Sequence, residues 1–356
     1  MQQQSVNSQK GEIEFRRKIF QQQVEGKKVF NDEFDARGIE EILRDRMKKT
    51  FEQMRLLKER GVRLSPYVEI GAERGQRALV MENDLHATGA AIDISYDMLK
   101  SCEYYKNVFH KKKLPLRICC DANHLPFMSH SVPFVFCYET LHHFPDPTPI
   151  VKEIHRILAF GGYFFFDEEP YKKILHIDLY RRKKLYSEES LKRSLLKRAF
   201  DYFLSMRNCN EIVYGVIENE NMSIAMWKKA LCVFEEKQVT LQSPVKPIAS
   251  PLFDSKQYLK FLLAYLLGGE ISGVCRKSGT PTDKEISVYD MLICPSCLEK
   301  GHESRLTQRN LLFFCSKCGC KFPIIDGVIF LFSYQKFRVL YPEIFKKVIK
   351  GQKKKT

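Results

Sequence analysis

The chain has 356 residues, 44% of them hydrophobic, and a formal net charge of +15. Its length suffices for one large domain and one small one, and its hydrophobic content is that of a globular protein with a substantial core. The positive charge attracts RNA, anionic lipid head groups and phosphorylated small molecules, and it does not choose among them.

No segment predicts export or membrane insertion. The polar N-terminus, MQQQSVNSQKGE, lacks the apolar core of a secretory signal. A membrane span needs ~20 apolar residues, whereas the best run, Tyr258 to Gly269, is short and contains Lys260. We interpret this run as a buried helix, with an interfacial helix and peripheral membrane contact as the alternative. We expect a cytoplasmic protein whose 12 cysteines need not form disulfides.

The predicted elements begin after an N-terminal extension, residues 1–37, for which we predict no structure. Helical spacing of apolar residues predicts a helix from Gly38 to Arg60. Strands then alternate with helical patterns such as Thr148 to Leu158. The predicted strands are Tyr67 to Ile70, Ala87 to Ile94, Leu116 to Cys120, Pro133 to Tyr138 and Gly161 to Glu169. This alternation indicates an α/β fold with a mostly parallel sheet covered on both faces.

The second half of the chain departs from this pattern. Residues 171–222 are predicted to form a helical, cap-like insert in a domain spanning residues 38–280. The basic part of the insert, Lys172 to Arg198, could bind an acidic acceptor, although a solvated helix face is the simpler explanation. Further predictions are a helix capped by Ser223 that reaches Phe234, strands at Gln238 to Leu241 and Gly269 to Lys277, a linker at Ser278 to Glu285, a cysteine-containing module at 286–335 and a basic tail at 336–356. Within that tail, the run KKVIKGQKKKT is predicted to be solvated.

The first predicted strand runs into a glycine-spaced turn, EIGAERG, that contains Gly71 and Gly75. In an open parallel sheet, ligands bind beyond the carboxyl ends of the strands, and glycine allows the backbone to turn sharply there. Asp93 ends the next strand, where a carboxylate can accept hydrogen bonds from two ribose hydroxyls, each worth about 1.5–3 kcal/mol. The turn and Asp93 therefore predict an adenosine site.

A dinucleotide is disfavoured as the ligand of this turn. The G-x-G-x-x-G sequence that brings a helix N-terminus to a pyrophosphate is absent, and Glu73 would repel a pyrophosphate. S-adenosylmethionine has no phosphate and carries positive charge, so it avoids that conflict. Glu73 either assists a cationic cofactor or points into solvent, and the sequence leaves both alternatives open.

Residues from about 67 to 170 resemble class I S-adenosylmethionine-dependent methyltransferases of the type 11 kind. Five motifs occur in the family's order: EIGAERG, AAIDIS, CCDANHLPF, FVFCYETLHHFPDP and EIHRILAFGGYFFFDEEP. In the first of them, Glu73 replaces the middle glycine of the family's acid-x-Gly-x-Gly-x-Gly pattern. The resemblance implies a Rossmann-like, seven-stranded sheet with a helical insert.

The resemblance also implies the cofactor-binding residues. Asp93 is expected to bind the ribose, Ile94 to pack on the adenine, and Asp121 to reach the adenine amine beside Ala122. The complete predicted cofactor set is Glu69, Gly71, Gly75, Asp93, Ile94, Asp121 and Ala122.

Methyl transfer from a sulfonium requires alignment and, for a hydroxyl acceptor, a base. His142 and His143 follow the fourth predicted strand and are candidates for that base. A packing role is the simpler explanation, because LHHF occurs in this family with many substrates. Asp167, Glu168 and Glu169 end the fifth strand. They could line an acceptor pocket, bind a divalent ion or be solvated, and we assign them no role.

Two C-x-x-C pairs, CPSC and CSKC, predict a structural zinc site made by Cys294, Cys297, Cys315 and Cys318. A redox pair is the alternative, and His302 and Cys320 fall outside the paired spacing. Residues from about 289 to 332 resemble the small zinc-ribbon protein that activates several RNA and protein methyltransferases. That resemblance implies a module that covers a sheet edge in cis or helps to dock a substrate.

The sequence therefore predicts a methyltransferase acting on a small molecule, a nucleotide-linked sugar or a lipid-linked glycan, because the insert favours a closed pocket. An RNA methyltransferase is the alternative supported by the charge, the zinc ribbon and the Lys-rich tail. A non-catalytic, methyltransferase-like partner protein is a third hypothesis, for which Glu73 is the only support.

Overall fold

The computed structural model describes residues 2–26, 38–172, 175, 177, 179–181, 195–206, 214–217, 219, 222–243, 249–252, 258–281 and 286–353. Within them, helices pack on both faces of one mixed sheet. The strands are β1 Tyr67–Ile70, β2 Gly89–Asp93, β3 Leu116–Cys120, β4 Val132–Tyr138, β5 Leu158–Tyr171, β6 Tyr180–Arg181, β7 Ser205–Met206, β8 Glu236–Gln242, β9 Ala249–Pro251, β10 Gly269–Arg276, β11 Leu306–Arg309, β12 Leu312–Cys315, β13 Lys321–Ile325 and β14 Val328–Leu331.

The helices surround this sheet. They are α1 Gln2–Val24, α2 Ile39–Glu59, α3 Gln76–Asn83, α4 Tyr96–Val108, α5 Thr148–Ile157, α6 Leu195–Leu204, α7 Ile224–Ala230, α8 Tyr258–Leu267, α9 Pro295–Leu298, α10 Tyr334–Leu340 and α11 Pro342–Lys353. Short 3₁₀ helices follow β3 at Ala122–His124 and β4 at Leu141–His143. The predicted helix from Gly38 to Arg60 is confirmed as α2, whereas α1 lies in the extension for which no structure is predicted.

The described strands include twelve that form one sheet in the order β11-β12-β13-β14-β3-β2-β1-β4-β5-β10-β8-β9. Strands β1 to β5 pair in parallel, and β10 runs antiparallel between β5 and β8. The α/β prediction with a mostly parallel centre is therefore confirmed. The seven-stranded expectation is not, because β9 extends one edge and β14 pairs in parallel with β3 at the other.

The two faces of the sheet bury separate cores because side chains alternate along each strand. On one face, Val68 packs with Ile154 of α5 and Trp227 of α7. On the other, Tyr67 packs with Met54 of α2 and Val80 of α3. The central strands are thereby held rigidly, and their carboxyl ends share one edge of the molecule.

The basic tail is packed over its first ten residues, which precede the run KKVIKGQKKKT that is predicted to be solvated. Helices α10 and α11 bury Phe337, Leu340, Tyr341 and Phe345, and the Phe337 ring lies 5.6 Å from that of Phe330 on β14. Phe337, Tyr341 and Phe345 recur every four residues, so they form one helical stripe that the high lysine content obscures. Lys346 and Lys347 beyond it are exposed, as predicted.

The predicted cap, the predicted buried helix and the predicted insert differ in outcome. Ser223 caps α7 as predicted, since its Oγ accepts a hydrogen bond from the Met226 N–H at 3.1 Å. Helix α8 is only partly buried, because Leu259 is 70% exposed while Ala264 is buried. Among the described helices, none is long and apolar enough to cross a bilayer. The described residues of the insert include α6 and the short paired strands β6 and β7, so the insert is not helical throughout. About half of the insert, including most of Lys172 to Arg198, lies outside the described residues, as do the end of the linker and the last three residues of the tail.

Candidate functional site

A cavity of about 240 Å³ opens at the carboxyl ends of β1 to β4. The segments after these strands supply its floor, and α1 supplies part of its cover. The lining includes Gly71 and Glu73 after β1, Asp93 and Ile94 after β2, Asp121 and Ala122 after β3, Glu139, Thr140, His142 and His143 after β4, and Ser8, Gln9, Glu12 and Arg16 on α1.

The structure brings five of the seven predicted cofactor residues together in this cavity and places the other two behind it. Gly71 lines the cavity with φ +67°, and a Cβ there would lie 2.3 Å from Thr140 Oγ1. Gly75 begins α3 with φ +68°, and a Cβ there would lie 2.7 Å from Cys102 Sγ. Gly71 therefore allows the turn after β1 to pack closely against Thr140 beside the cavity, whereas Gly75 allows α3 and α4 to pack closely.

Glu69 is the other residue behind the cavity. Its side chain is buried within the sheet, and burial raises the pKa of its carboxyl to about 8 despite the nearby Arg77 guanidinium. Glu69 therefore lies in the support of the turn and not on the cavity wall.

Asp93 has the geometry of a diol acceptor. Its Oδ2 accepts a hydrogen bond from the Glu73 N–H at 2.9 Å, and its Oδ1 accepts one from the Ser95 N–H at 2.7 Å. These bonds fix the carboxylate, and each oxygen retains a lone pair for another donor. Burial raises the pKa of Asp93 to about 6, although both backbone bonds act to lower it. Asp93 thus presents two fixed acceptor oxygens beside the glycine turn.

Asp121 has a partner that the sequence pattern did not indicate. Its Oδ1 accepts from the Asn123 N–H and from Asn123 Nδ2, both at 2.9 Å, and its Oδ2 forms an ion pair with Lys336 of α10. Burial acts to raise the pKa of Asp121, but the Lys336 ammonium outweighs it and the pKa is lowered. A residue far along the chain therefore fixes a carboxylate that lines the cavity.

Glu73 does not point into solvent, so that alternative is wrong. Its carboxylate pairs with Arg74, lies 3.4 Å from Arg16 Nη1 of α1 and lies 3.5 Å from Arg46 Nη1 of α2. Burial acts to raise its pKa, but the arginines lower it to about 2. Glu73 keeps the left-handed φ of +49° that the glycine-spaced turn requires. The acid in this turn is therefore an ionic anchor for two helices.

Helix α1 lies along the cavity through several anchors. Besides the Arg16–Glu73 pair, Arg17 Nε lies 3.2 Å from Asp97 Oδ2, and Gln23 Nε2 donates to the Tyr105 hydroxyl at 3.0 Å. Ile13 and Phe15 of α1 are buried. The polar composition of α1 conceals these contacts, because several of its anchors are ion pairs and a side-chain hydrogen bond.

Glu169 organises the loop after β4. Its side chain is fully buried, and its carboxylate accepts hydrogen bonds from the N–H groups of Thr140 at 2.7 Å, Leu141 at 2.8 Å and His142 at 3.2 Å. His142 Nδ1 lies 3.0 Å from Glu169 Oε2, so this nitrogen carries the donor proton. Glu169 thereby fixes both the 3₁₀ helix and the orientation of the His142 ring, and it is not a solvated strand-end acid.

The remaining candidates differ in position. His143 lines the cavity, and its Nδ1 donates to the Ile217 carbonyl oxygen at 3.0 Å. Asp167 and Glu168 do not line it, since Lys49 of α2 lies 2.8 Å and 2.7 Å from their carboxylates and Arg77 lies 2.9 Å from Glu168. These two acids attach α2 and α3 to the sheet.

A second site lies in the segment that carries β11 to β14. The sulfur atoms of Cys294 and Cys318 are 3.5 Å apart, those of Cys297 and Cys315 are 3.7 Å apart, and all four lie within 4.8 Å of one another. Four thiolates at about 2.3 Å from a tetrahedral zinc ion would be about 3.8 Å apart. The donor set and its spacing therefore fit zinc, and His302 and Cys320 are not part of the cluster.

Comparisons with known proteins find relatives of the part of the chain that carries β1 to β5. Residues 68–166 match the family described as "Methyltransferase domain". The uncharacterized chloroplastic methyltransferase At1g78140 of Arabidopsis thaliana is 38% identical over 90 residues, which are 24% of this chain and 25% of that protein. A second from the same plant, At2g41040, is 39% identical over 77 residues, which are 21% and 22% of the two chains. The chain thus spans about a quarter of the length of the curated relatives it matches.

Solved structures show a distant likeness. One matched chain comes from the structure of a complex between the Haloferax volcanii Trm112 methyltransferase activator and a methyltransferase. It is 17% identical to this chain with a TM-score of 0.39, over 70% of this chain and 100% of that one. The PH0226 protein from Pyrococcus horikoshii is 17% identical with a TM-score of 0.41, over 70% and 97% of the two chains.

Proposed function

We propose that this chain, whose residues 68–166 form a methyltransferase domain, transfers a methyl group from S-adenosylmethionine to a compact acceptor. One observation carries the proposal. The carboxylate of Asp93 is held by two backbone N–H groups at the mouth of a cavity that Gly71 and Asp121 also line. Such a fixed, paired acceptor suits a ribose diol.

The cavity residues fit this cofactor. Asp93 would accept hydrogen bonds from the ribose hydroxyls, Asp121 from the adenine amine, and Ile94 would pack on the base. Gly71 would keep the turn and Thr140 in place around the cofactor, since a side chain at Gly71 would meet Thr140. When bound, S-adenosylmethionine supplies the electrophilic methyl group, and the protein supplies alignment and exclusion of water.

The enclosure of the cavity favours a compact acceptor over an extended nucleic acid. Helix α1 covers one side, and the 3₁₀ helix Leu141–His143 and Val216 border another. A small molecule, a nucleotide-linked sugar or a lipid-linked glycan head group fits such a pocket better than a long RNA, which needs an open basic surface.

His142 is the better placed of the two candidate bases. The Glu169 carboxylate receives its Nδ1–H and would stabilise the imidazolium that forms when Nε2 accepts a proton from a hydroxyl acceptor. His143 donates its Nδ1–H to a neutral carbonyl oxygen, which offers weaker stabilisation of a positive charge.

The cysteine cluster supports a structural role for the metal. Four sulfur ligands close the coordination shell, so zinc would stabilise the module without offering a position for a substrate. The module extends the central sheet through β14, whose residues pair from Val328↔Arg117 to Leu331↔Cys120. We propose that it stabilises the methyltransferase domain in cis by covering the edge of β3.

Calorimetry with S-adenosylhomocysteine tests the cofactor site. Loss of two hydrogen bonds to a charged acceptor, at about 1.5–3 kcal/mol each, should weaken binding to Asp93→Ala by 100-fold or more. Asp84→Asn is the matched control, because Asp84 pairs with Lys111 on the surface away from the cavity. Unchanged affinity in Asp93→Ala, with its folding verified by thermal unfolding, would refute the proposed site.

Incubation with labelled S-adenosylmethionine and fractionated cell extract tests the acceptor class. We expect label in small metabolites or lipid-linked glycans. Label in RNA, together with binding that weakens steeply as salt rises, would support the RNA alternative. Cofactor binding without transfer to any fraction would support a non-catalytic partner protein.

A further inference from the structure

We propose that Lys336, on the helix that follows the zinc module, is a positioning residue for the adenine end of the cofactor site and that it makes cofactor affinity depend on that module. The inference rests on the proposed function, because it concerns the same cavity. It assigns a role to a segment, α10 and α11, that lies outside the matched methyltransferase domain.

The first observation is the contact between Lys336 and Asp121. The Asp121 side chain is 5% exposed and that of Lys336 is 24% exposed, so the pair is largely removed from water. Lys336 Nζ also lies 3.4 Å from His124 Nδ1, on the 3₁₀ helix that begins after Asp121. Asn123 holds the other carboxylate oxygen from the same short helix. The carboxylate is thus fixed between its own loop and α10.

The second observation concerns Tyr341, at the junction of α10 and α11. Its hydroxyl donates to the Ile94 carbonyl oxygen at 2.5 Å and accepts from the Tyr96 N–H at 3.0 Å. Tyr341 is 2% exposed. The segment that holds Asp121 therefore also holds the backbone just after Asp93. It contacts the chain at the ends of β2 and β3, the two strands whose side chains are proposed to bind adenosine.

A short path joins this segment to the metal cluster. Ser296 lies within the CPSC pair, and its Oγ accepts a hydrogen bond from the Tyr334 N–H at 3.1 Å. Tyr334 begins α10, two residues before Lys336, which reaches Asp121. In addition, Leu331 pairs with Cys120, the residue before Asp121. Metal that orders the first C-x-x-C pair would therefore order the start of α10 and the Lys336 contact.

The chemical role of Lys336 is to keep Asp121 ionised and oriented. A buried carboxylate without a nearby cation takes up a proton readily, and a protonated carboxyl is a weaker acceptor for an amine hydrogen. The charged or titratable groups that face Asp121 in the described part of the chain are Lys336 from α10, His124 from the 3₁₀ helix and the Cys120 thiol of β3. Lys336 is the permanent cation of this group.

The test compares S-adenosylhomocysteine binding by calorimetry in the wild-type protein, Lys336→Met and Lys336→Arg between pH 5 and pH 8. We expect Lys336→Met to bind about tenfold more weakly at pH 8 and to lose further affinity relative to wild type as the pH falls. Protonation of Asp93 affects both proteins equally, so the difference between their profiles reports Asp121. Lys336→Arg should restore most of the affinity, and Lys346→Met, at an exposed position on α11, should match wild type.

The dependence on the module is tested by removing the metal with a chelator. Chelation should weaken binding in wild type more than in Lys336→Met, because the variant has already lost the contact. Equal or tighter binding by Lys336→Met with a pH profile parallel to wild type would overturn the inference while leaving the proposed function intact. Absence of binding by the wild-type protein would overturn both.

Discussion

Replacing Glu73 with Gln removes one negative charge from a cluster of three arginines without a large change of volume. The pKa of Glu73 is about 2, against an ordinary value of 4.5. A difference of about 2.5 pH units corresponds to about 3 kcal/mol of differential stabilisation of the charged form. The side chain is 14% exposed, so solvent screening reduces this little. We therefore expect Glu73→Gln to lower the free energy of unfolding by about 3 kcal/mol at pH 7.

The sign of the pH dependence follows from the lowered pKa. The contribution of Glu73 is complete above its unfolded value of 4.5 and is lost as the pH falls toward 2. Urea unfolding at pH 7 and at pH 3 should therefore show a smaller difference between variant and wild type at the lower pH. Hydrogen exchange should also rise in α1, because Arg16 loses its ion pair across to the turn and keeps only that with Glu12 within α1.

Glu59→Gln is the matched control for this measurement. Glu59 pairs with Arg55 on α2, but both side chains are about half exposed, and such a surface pair is worth about 0.5 kcal/mol or less. If Glu73→Gln were no more destabilising than this control, the arginine cluster would not be an ionic anchor and our explanation of the acid in the turn would be wrong.

Two further predictions concern the turn and the metal. Gly71→Ala should abolish S-adenosylhomocysteine binding in calorimetry, because its Cβ would lie 2.3 Å from Thr140 Oγ1 at φ +67°. Gly301→Ala, at φ +76° in open space, should bind normally, and equal binding by both variants would exclude a role for the close approach of Gly71 to Thr140. Cys294→Ser should lower the zinc content measured by atomic absorption and destabilise the module by several kcal/mol. Cys232→Ser, at an exposed cysteine outside the cluster, should change neither quantity, and a full zinc complement in Cys294→Ser would refute the assignment of Cys294 as a zinc ligand.

The sequence predicts the central sheet well because its signals are local. Apolar runs such as Tyr67 to Ile70 and Leu116 to Cys120 coincide with strands, and the acids at their ends follow from the α/β pattern. Asp93 and Asp121 consequently lie on one cavity, as expected for residues that follow neighbouring parallel strands.

The missed features depend on contacts between distant parts of the chain. Helix α1 is polar, and its position follows from ion pairs such as Arg16–Glu73 that no periodicity reveals. Glu169 becomes an internal hydrogen-bond acceptor because Glu168 adopts φ +61° and the pairing of β5 with β10 shifts nearby. Lys336 reaches Asp121 only because β14 pairs with β3, which no local pattern indicates.

The pairing of β14 with β3 has a consequence for assembly. A strand in a sheet has one neighbour on each side, so β14 occupies the position that a strand from another molecule would need next to β3. Tethering within one chain replaces a concentration-dependent association by an intramolecular one, with an effective concentration of the order of millimolar for a short linker. The edge proposed to bind adenosine should therefore stay intact on dilution to nanomolar protein, a condition under which a two-chain arrangement of moderate affinity would separate.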